Sequence, residues 1–231
     1  MDYENSDKLS DPMLYYLLQR MYVFCILENV KGNIDMNREV FENYKMLLEK
    51  DLFNLDQTTV LSMLDFRIIL SSALKNNEFE WAVNFINEKI NLLKGELRYN
   101  VRHYAYAVLM FYKNNYSEAL EHISRIKSEA HPITLDIYIL KLKIFYKLGH
   151  YDSAVSVGDS FRHYISGNKL LSDFHKITLI NFLKYFKLII RLTLTPGKAK
   201  LVKLLSEIDS SNYTKEKKWL TGITRDLVNS I

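Results

Sequence analysis

The residue types that most often bind metal ions or phosphate groups occur in this sequence without the spacing that those functions require. The six histidines include no pair four residues apart and Cys25 is the single cysteine, so the usual zinc-ligand patterns are absent. The stretch TPGK, residues 195–198, lacks the other glycine and the preceding strand of a phosphate-binding loop. We therefore predict no catalytic residue, metal site or cofactor. An enzyme with a dispersed site is the alternative, and it would need a deep polar pocket.

The chain shows no sign of export or membrane insertion. Cys25 lies in the apolar run YYLLQRMYVFCIL without a disulfide partner, which favours a buried structural thiol in a reducing compartment. The first residues, MDYENSDKLSDP, are polar and acidic, unlike a secretory signal. The most apolar windows, 15–30 and 177–194, contain charges, so neither offers the roughly 20 uncharged residues of a membrane span. We predict a cytoplasmic protein in which both windows form core helices.

Positive charge is concentrated near the carboxy terminus. Residues 162–231 carry 13 Lys and Arg against 5 Asp and Glu, a net charge of +8, whereas residues 1–161 carry 18 against 22. The exposed side of two predicted helices forms a basic ridge of Lys184, Lys187, Arg191 and Lys198, and Lys200 and Lys203 follow it. Such a ridge suits an acidic protein, a nucleic-acid backbone or a membrane surface. An ordinary solvated face is the alternative, because no aromatic-interleaved binding motif accompanies the charge.

The elements that carry these residues are predicted to be helices. Apolar residues recur at intervals of three and four, for example at positions 133, 137, 140, 144 and 148. Only 7 glycines and 3 prolines are present, too few for the turns of a many-stranded fold. Helix ends are predicted at Gly32, Gly95, Gly149 and Gly167. The predicted helices span residues 12–30, 37–50, 58–75, 79–93, 97–113, 116–128, 132–148, 151–165, 170–193, 197–208 and 214–229.

One short stretch occurs three times, as NNEFEWAVNFI, NNYSEALEHI and GHYDSAVSVG. Each copy places an aromatic residue three positions before an alanine: Phe79 and Ala82, Tyr116 and Ala119, Tyr151 and Ala154. A small residue there lets the preceding helix approach closely. Asn77 and Asn115 are predicted helix caps, with Glu80 and Glu118 closing a reciprocal box. The period predicts helix pairs that stack on one another, since one pair cannot bury its own apolar side.

This pattern resembles tetratricopeptide repeats, and LGHYDSA at 148–154 is the closest match. The first helices lack the family's Trp and small-residue positions, apart from Ala107, so the repeats are degenerate. From ALKNNEFEWAVNFI through LINFLKYFKLIIRL, the chain also looks like the carboxy-terminal part of a group of uncharacterised bacterial helical-repeat proteins. The resemblance implies an all-α fold, a right-handed α-α superhelix of helix hairpins with a long carboxy-terminal capping helix, and implies no activity.

The repeat frame leads to a prediction about function and domain organisation. It implies that the first helices line a groove, with Arg67, Tyr104, Lys143 and Lys147 at positions that often face it. We therefore predict a noncatalytic scaffold that binds a peptide or partner domain, the alternative being a nucleic-acid-associated repeat protein that uses the basic ridge. A single domain, 1–231, is expected to contain a helix pair at 12–57, hairpins at 58–95, 96–131 and 132–168, and capping helices at 169–231.

Overall fold

A computed structural model describes residues 9–31, 36–54, 61–127 and 133–231 of the protein. Within these ranges the chain is helical and no residue lies in a β-strand. The helices are α1 (Asp11–Lys31), α2 (Asn37–Glu49), α3 (Met63–Lys75), α4 (Phe79–Lys89), α5 (Gly95–Tyr112), α6 (Tyr116–Ser124), α7 (Thr134–Lys147), α8 (Tyr151–Gly167), α9 (Asp173–Leu194), α10 (Lys198–Ser210) and α11 (Lys217–Asn229). Short 3-10 segments follow α2 and α4, at Leu52–Asn54 and Ile90–Leu92. The all-α prediction is confirmed for the described residues.

The chain divides into two compact units, Met1–Ile133 and Thr134–Ile231. In the first unit α1 packs on α2, α2 on α3, and α3 on α4. Helix α5 contacts both α3 and α4 and pairs with α6. One continuous apolar core runs through this unit, from Leu14 of α1 to Leu109 of α5. Helix α5 therefore covers apolar surface of the α3–α4 pair, while a regular stack of hairpins and one domain over 1–231 stay predictions.

The second unit is organised around α9. This helix of 22 residues packs against α8, α10 and α11, while α7 pairs with α8 and α10 pairs with α11. Its buried side, which includes Phe182, Phe186 and Ile189, lies in a core shared with Phe161 of α8 and Leu220 of α11. Helix α9 is the predicted long helix 170–193, shifted by three residues at its start and one at its end. It begins at Asp173 because the Ser172 hydroxyl accepts a hydrogen bond from the His175 amide.

Three turns between paired helices share one backbone geometry, and they coincide with the three copies of the repeated stretch. Asn77, Asn114 and Gly149 each adopt the left-handed conformation, with φ of 60°, 60° and 72°. The next amide donates to the carbonyl five residues earlier in every case: Glu78 to Ala73 (3.0 Å), Asn115 to Met110 (2.9 Å) and His150 to Phe145 (2.9 Å). A left-handed residue with this hydrogen bond is a Schellman helix ending.

The residues after these turns occupy matching places. Phe79, Tyr116 and Tyr151 open α4, α6 and α8 and are half-buried, whereas Ala82, Ala119 and Ala154 are fully buried. The Tyr116 ring lies 5.7 Å from the ring of Phe111, and the Tyr151 ring lies 5.8 Å from that of Tyr146, the same offset of five residues. In both hairpins the aromatic residue thus packs against the end of the preceding helix.

The predicted cap at Asn77 is wrong. Asn77 is the left-handed residue of its turn, and Glu78 takes the N-cap position without a side-chain hydrogen bond. Asn115 does cap α6, accepting from the Glu118 amide at 3.4 Å. The Glu118 carboxylate binds the Asn115 side-chain amide at 2.6 Å, because the Asn115 backbone amide is already used in the turn. The predicted reciprocal box therefore forms only in part.

Two other predictions need correction or limits. Gly149 follows α7 and Gly167 ends α8 as predicted, but Gly95 begins α5, because the preceding helix already ends at Lys89. Some predicted helix ends lie outside the described ranges, namely those that involve Gly32 and residues 58–60, 128 and 132.

Helix α1 differs from the predicted core helix because it is apolar on two sides and buried on one. Leu14, Leu18 and Cys25 are buried against the first unit, whereas Tyr16 and Phe24, on the outer side, are each 55% exposed. The buried thiol at Cys25 is as predicted. None of the helices in the described ranges has the length and apolar content to cross a membrane.

Candidate functional site

A groove between α9 and α10 is the candidate functional site. The two helices are joined by only Thr195, Pro196 and Gly197, and they contact each other. Helix α9 ends here because a residue before proline is disfavoured in helical conformation, and Thr195 has φ −129° and ψ 78°. The Thr195 amide and hydroxyl both donate to the Arg191 carbonyl, at 3.0 and 2.9 Å. This short connection fixes the separation of the two groove walls.

The groove has an apolar floor and a basic rim. Its volume is about 290 Å³, and its lining consists of Leu188, Arg191, Leu192, Thr195, Lys200, Lys203, Leu204 and Glu207. Leu192 and Leu204 are buried at its base, while the three cations are exposed. Three positive charges thus face one carboxylate, and the amino-terminal end of α10 adds its partial positive charge at the same end as Lys200.

The charge in this groove is available to a ligand. Within the described part of the chain, Arg191, Lys200 and Lys203 form no ion pair with a carboxylate at 4.0 Å or less. Their head groups are hydrated in the free protein. A ligand that carries carboxylates can replace this water with charge-assisted hydrogen bonds, and apolar groups on the same ligand can cover the leucine floor.

The structure separates the four residues of the basic ridge. Arg191 alone lines the α9–α10 groove. Lys187 lines a different cleft, of about 20 Å³, between α8 and α9, together with Asp159 and Arg162. Lys184 is exposed on α9 with its ammonium 5.0 Å from the Tyr185 ring centroid. Lys198 is exposed at the start of α10 but is not part of the groove lining. Lys200 and Lys203, which follow the ridge in the sequence, line the groove together with Arg191.

The predicted groove-facing residues fall into two pairs. Arg67 and Tyr104 are half-buried on α3 and α5 of the first unit. Lys143 and Lys147 lie one turn apart on α7 of the second unit. The role of all four in binding a partner stays a prediction.

Lys143 also has a role inside the second unit. Its ammonium lies 2.5 Å from the Glu216 carboxylate and 5.2 Å from the centroid of the Trp219 ring, which ties α7 to the start of α11. The side chains of Lys143 and Glu216 are only 14% and 29% exposed, so the pair is largely shielded from water. Glu216 has a left-handed backbone, with φ 59°. The ion pair therefore holds a residue whose conformation most residue types avoid.

A pair of histidines is the clearest feature that the sequence did not predict. His103 of α5 and His122 of α6 have their Nδ1 atoms 3.2 Å apart, so one of the two must donate its proton to the other. The Tyr106 ring stacks on His122, with ring centroids 5.3 Å apart. The pKa of each histidine is lowered, first by burial; Arg125 lowers both further, and His122 lowers that of His103. The pair joins α5 to α6, and the lowered pKa of each ring favours its uncharged form.

Comparison of the chain with protein-family models, curated proteins and solved structures gives no significant match. Within the described residues, no group of three or more His, Cys, Asp or Glu side chains is placed to hold a metal ion. The groove between α9 and α10 is the place where position, shape and charge together suit a ligand.

Proposed function

We propose that this protein is a noncatalytic interaction scaffold that binds an acidic, partly apolar peptide segment of a partner in the α9–α10 groove. The observation that carries the proposal is the composition of the groove, with three leucines at its floor and three cations beside one carboxylate. Leucine-like side chains of the peptide pack on the floor, and its carboxylates bind Arg191, Lys200 and Lys203. Clusters of cationic side chains are a recurrent means of recognising acidic motifs.

The repeated helix pairs support the scaffold part of the proposal. The three matching turns and the contacts of α5 with both α3 and α4 are what stacked hairpins of the tetratricopeptide type require. We include in the proposal a right-handed superhelix, with α9 as its long capping helix, and kinship with the bacterial helical-repeat proteins that the sequence resembles.

A nucleic acid bound along the basic ridge is the alternative. Lys184, Lys187, Arg191 and Lys198 are all exposed, and exposed cations suit phosphate groups. However, no aromatic side chain is among the residues that line the groove, so unpaired bases would find no stacking surface there. A leucine floor contributes to binding of an apolar peptide side chain and contributes nothing to binding of a phosphate backbone.

The test measures binding of a fluorescein-labelled peptide of leucine and glutamate by anisotropy. Reversal of two rim charges, with Lys200→Glu and Lys203→Glu together, is expected to weaken binding at least about tenfold, or about 1.4 kcal/mol. The matched control, Lys184→Glu with Lys198→Glu, makes the same change in net charge outside the groove lining. It is expected to weaken peptide binding less than the groove substitutions do, because neither residue lines the groove and exposed charges are partly screened at physiological salt.

The same variants distinguish the alternative. A random-sequence single-stranded RNA replaces the peptide, and its affinity is measured over a range of salt concentrations. RNA binding tighter than peptide binding is one part of the alternative's signature. If, in addition, Lys184→Glu with Lys198→Glu weakens RNA binding as much as Lys200→Glu with Lys203→Glu does, the basic ridge is a nucleic-acid surface and the peptide proposal is rejected. Equal loss of peptide binding in both variants would also reject it, because only net charge would then matter.

A further inference from the structure

The outer side of α1 is an exposed apolar surface. Six large residues on this helix are between 38% and 55% exposed: Met13, Tyr16, Leu17, Val23, Phe24 and Leu27. At half exposure, side chains of this size present roughly 100 Å² each, so the stripe presents on the order of 600 Å². That area is at the upper end of the apolar patches found on monomeric proteins, and such patches commonly mark interaction sites.

The stripe has the spacing of a helix-packing seam. Its positions repeat every seven residues, with Met13, Arg20 and Leu27 in one row, Tyr16 and Val23 in a second, and Leu17 and Phe24 in a third. Apolar positions that recur at this period stay aligned along a second helix that crosses at about 20°, as in coiled coils. The stripe therefore suits an α-helix that lies along α1.

Arg20 sets the charge of that helix. It lies midway between Met13 and Leu27, and its guanidinium lies over the Tyr16 ring, 5.1 Å from the centroid, with Nε donating to the Tyr16 hydroxyl at 2.9 Å. A helix that covers the stripe removes water from this charge, and a desolvated charge must be paired. The stripe itself contains no acidic residue. The carboxylate must therefore come from the partner.

We propose that the outer side of α1 binds an amphipathic helix of another protein, one with an apolar face that carries a single Asp or Glu opposite Arg20. A second copy of α1 is a poor occupant, because both Arg20 side chains would enter a seam without a carboxylate. A membrane surface is also a poor fit, since the stripe has one cation and the helix side opposite it is buried in protein rather than polar. This surface is on the first unit and is independent of the groove proposed above.

The test uses the full chain and two synthetic helical peptides as probes. Each peptide has three heptads with leucine at the core positions; one has glutamate at the central core position and the other has lysine there. We expect the glutamate peptide to bind at least about tenfold more tightly than the lysine peptide, the range of a paired against an unpaired charge. Arg20→Glu is expected to reverse this order, and Arg20→Gln to remove the preference while leaving binding of both peptides.

The apolar contribution is tested with a matched pair of variants. Phe24→Ser removes a ring from the stripe. It is expected to lower the affinity for the glutamate peptide at least about fivefold, as the truncation of a large apolar anchor does. Leu64→Ser is the control, because Leu64 of α3 is 61% exposed and is not in the stripe. Circular dichroism checks that both variants keep the helix content of the wild-type chain.

Several results would overturn the proposal. Equal affinity for the two peptides, or no binding of either, would show that Arg20 does not select a partner helix. Self-association in sedimentation equilibrium that Phe24→Ser abolishes would assign the stripe to a second copy of the chain. Cosedimentation with phosphatidylcholine and phosphatidylserine vesicles that the same variant abolishes would assign it to a membrane surface.

Discussion

The left-handed turn at Gly149 gives a stability prediction whose magnitude follows from the backbone alone. Its φ is +72°, and a Cβ atom built there would meet no atom within 4 Å, so substitution by alanine causes strain without a clash. A residue with a Cβ atom in this conformation costs about 1–2 kcal/mol. Alanine also restricts the unfolded chain, which offsets about 0.4–1 kcal/mol. We therefore expect Gly149→Ala to lower the free energy of unfolding by about 1 kcal/mol.

Two further substitutions separate conformation from loss of glycine. Gly149→Asn is expected to cost less than about 0.5 kcal/mol, because asparagine tolerates this region and Asn77 and Asn114 adopt it in the matching turns. Gly167→Ala is the control: Gly167 is the last residue of α8, and an added Cβ there also meets nothing. Its helical backbone accepts alanine, so this variant is expected to gain up to about 1 kcal/mol.

The assay is urea unfolding followed by the fluorescence of Trp219, which reports on the second unit. The other tryptophan, Trp81, lies in the first unit and is replaced by phenylalanine in these variants of Gly149 and Gly167 and in their parent, so that one signal remains. With a urea dependence of about 2 kcal/mol per molar, a loss of 1 kcal/mol moves the midpoint down by roughly 0.5 M. Equal midpoints for glycine and alanine at position 149, or a loss for asparagine as large as for alanine, would refute the proposed turn.

Two other predictions test the packing of α5 against α6. Ala119→Phe is expected to lower the free energy of unfolding by about 1–3 kcal/mol, because Ala119 is fully buried and the interface has no room for a ring. Ser117→Phe, on the exposed side of α6, should stay within about 0.5 kcal/mol. Both residues lie in the first unit, so urea unfolding is followed here by Trp81, with Trp219 replaced by phenylalanine. Burial lowers the pKa of His103 and His122, so the unfolded chain takes up protons first as pH falls below about 6.5, and stability that is complete above that pH declines. The urea midpoint of the first unit, from Trp81, should fall between pH 7.5 and pH 5.5 more steeply in the wild type than with both histidines replaced by glutamine, and parallel profiles would contradict the pairing.

Local periodicity predicted the helices because a helix is specified by its own residues. Each interval of three or four residues in the range 133–148 covers about one helical turn, and so does the spacing from Tyr116 to Ala119. Both patterns are therefore local in the sequence. The cap assigned to Asn77 failed by one residue, since an asparagine can either cap a helix or adopt the left-handed conformation of the turn before it. Sequence pattern alone does not decide between these two roles.

Contacts between helices could not be predicted in the same way. His103 and His122 meet because α5 and α6 pair at one particular register, and nothing in their spacing of 19 residues states that register. The groove likewise depends on which side of α10 faces α9, which admits Lys200 and leaves Lys198 out. Helix α1 is apolar around most of its circumference, so its sequence could not show which side would be covered.

The burial of Cys25 gives the protein an internal reporter of how often α1 opens. Cys25 is the only thiol of the chain and is 2% exposed, and burial raises its pKa, so an alkylating reagent reaches a reactive thiolate only when the helix detaches. The rate of Cys25 alkylation therefore reports how often α1 detaches. A helix bound along the outside of α1 clamps it in place and slows the reaction at a site that the bound helix never touches.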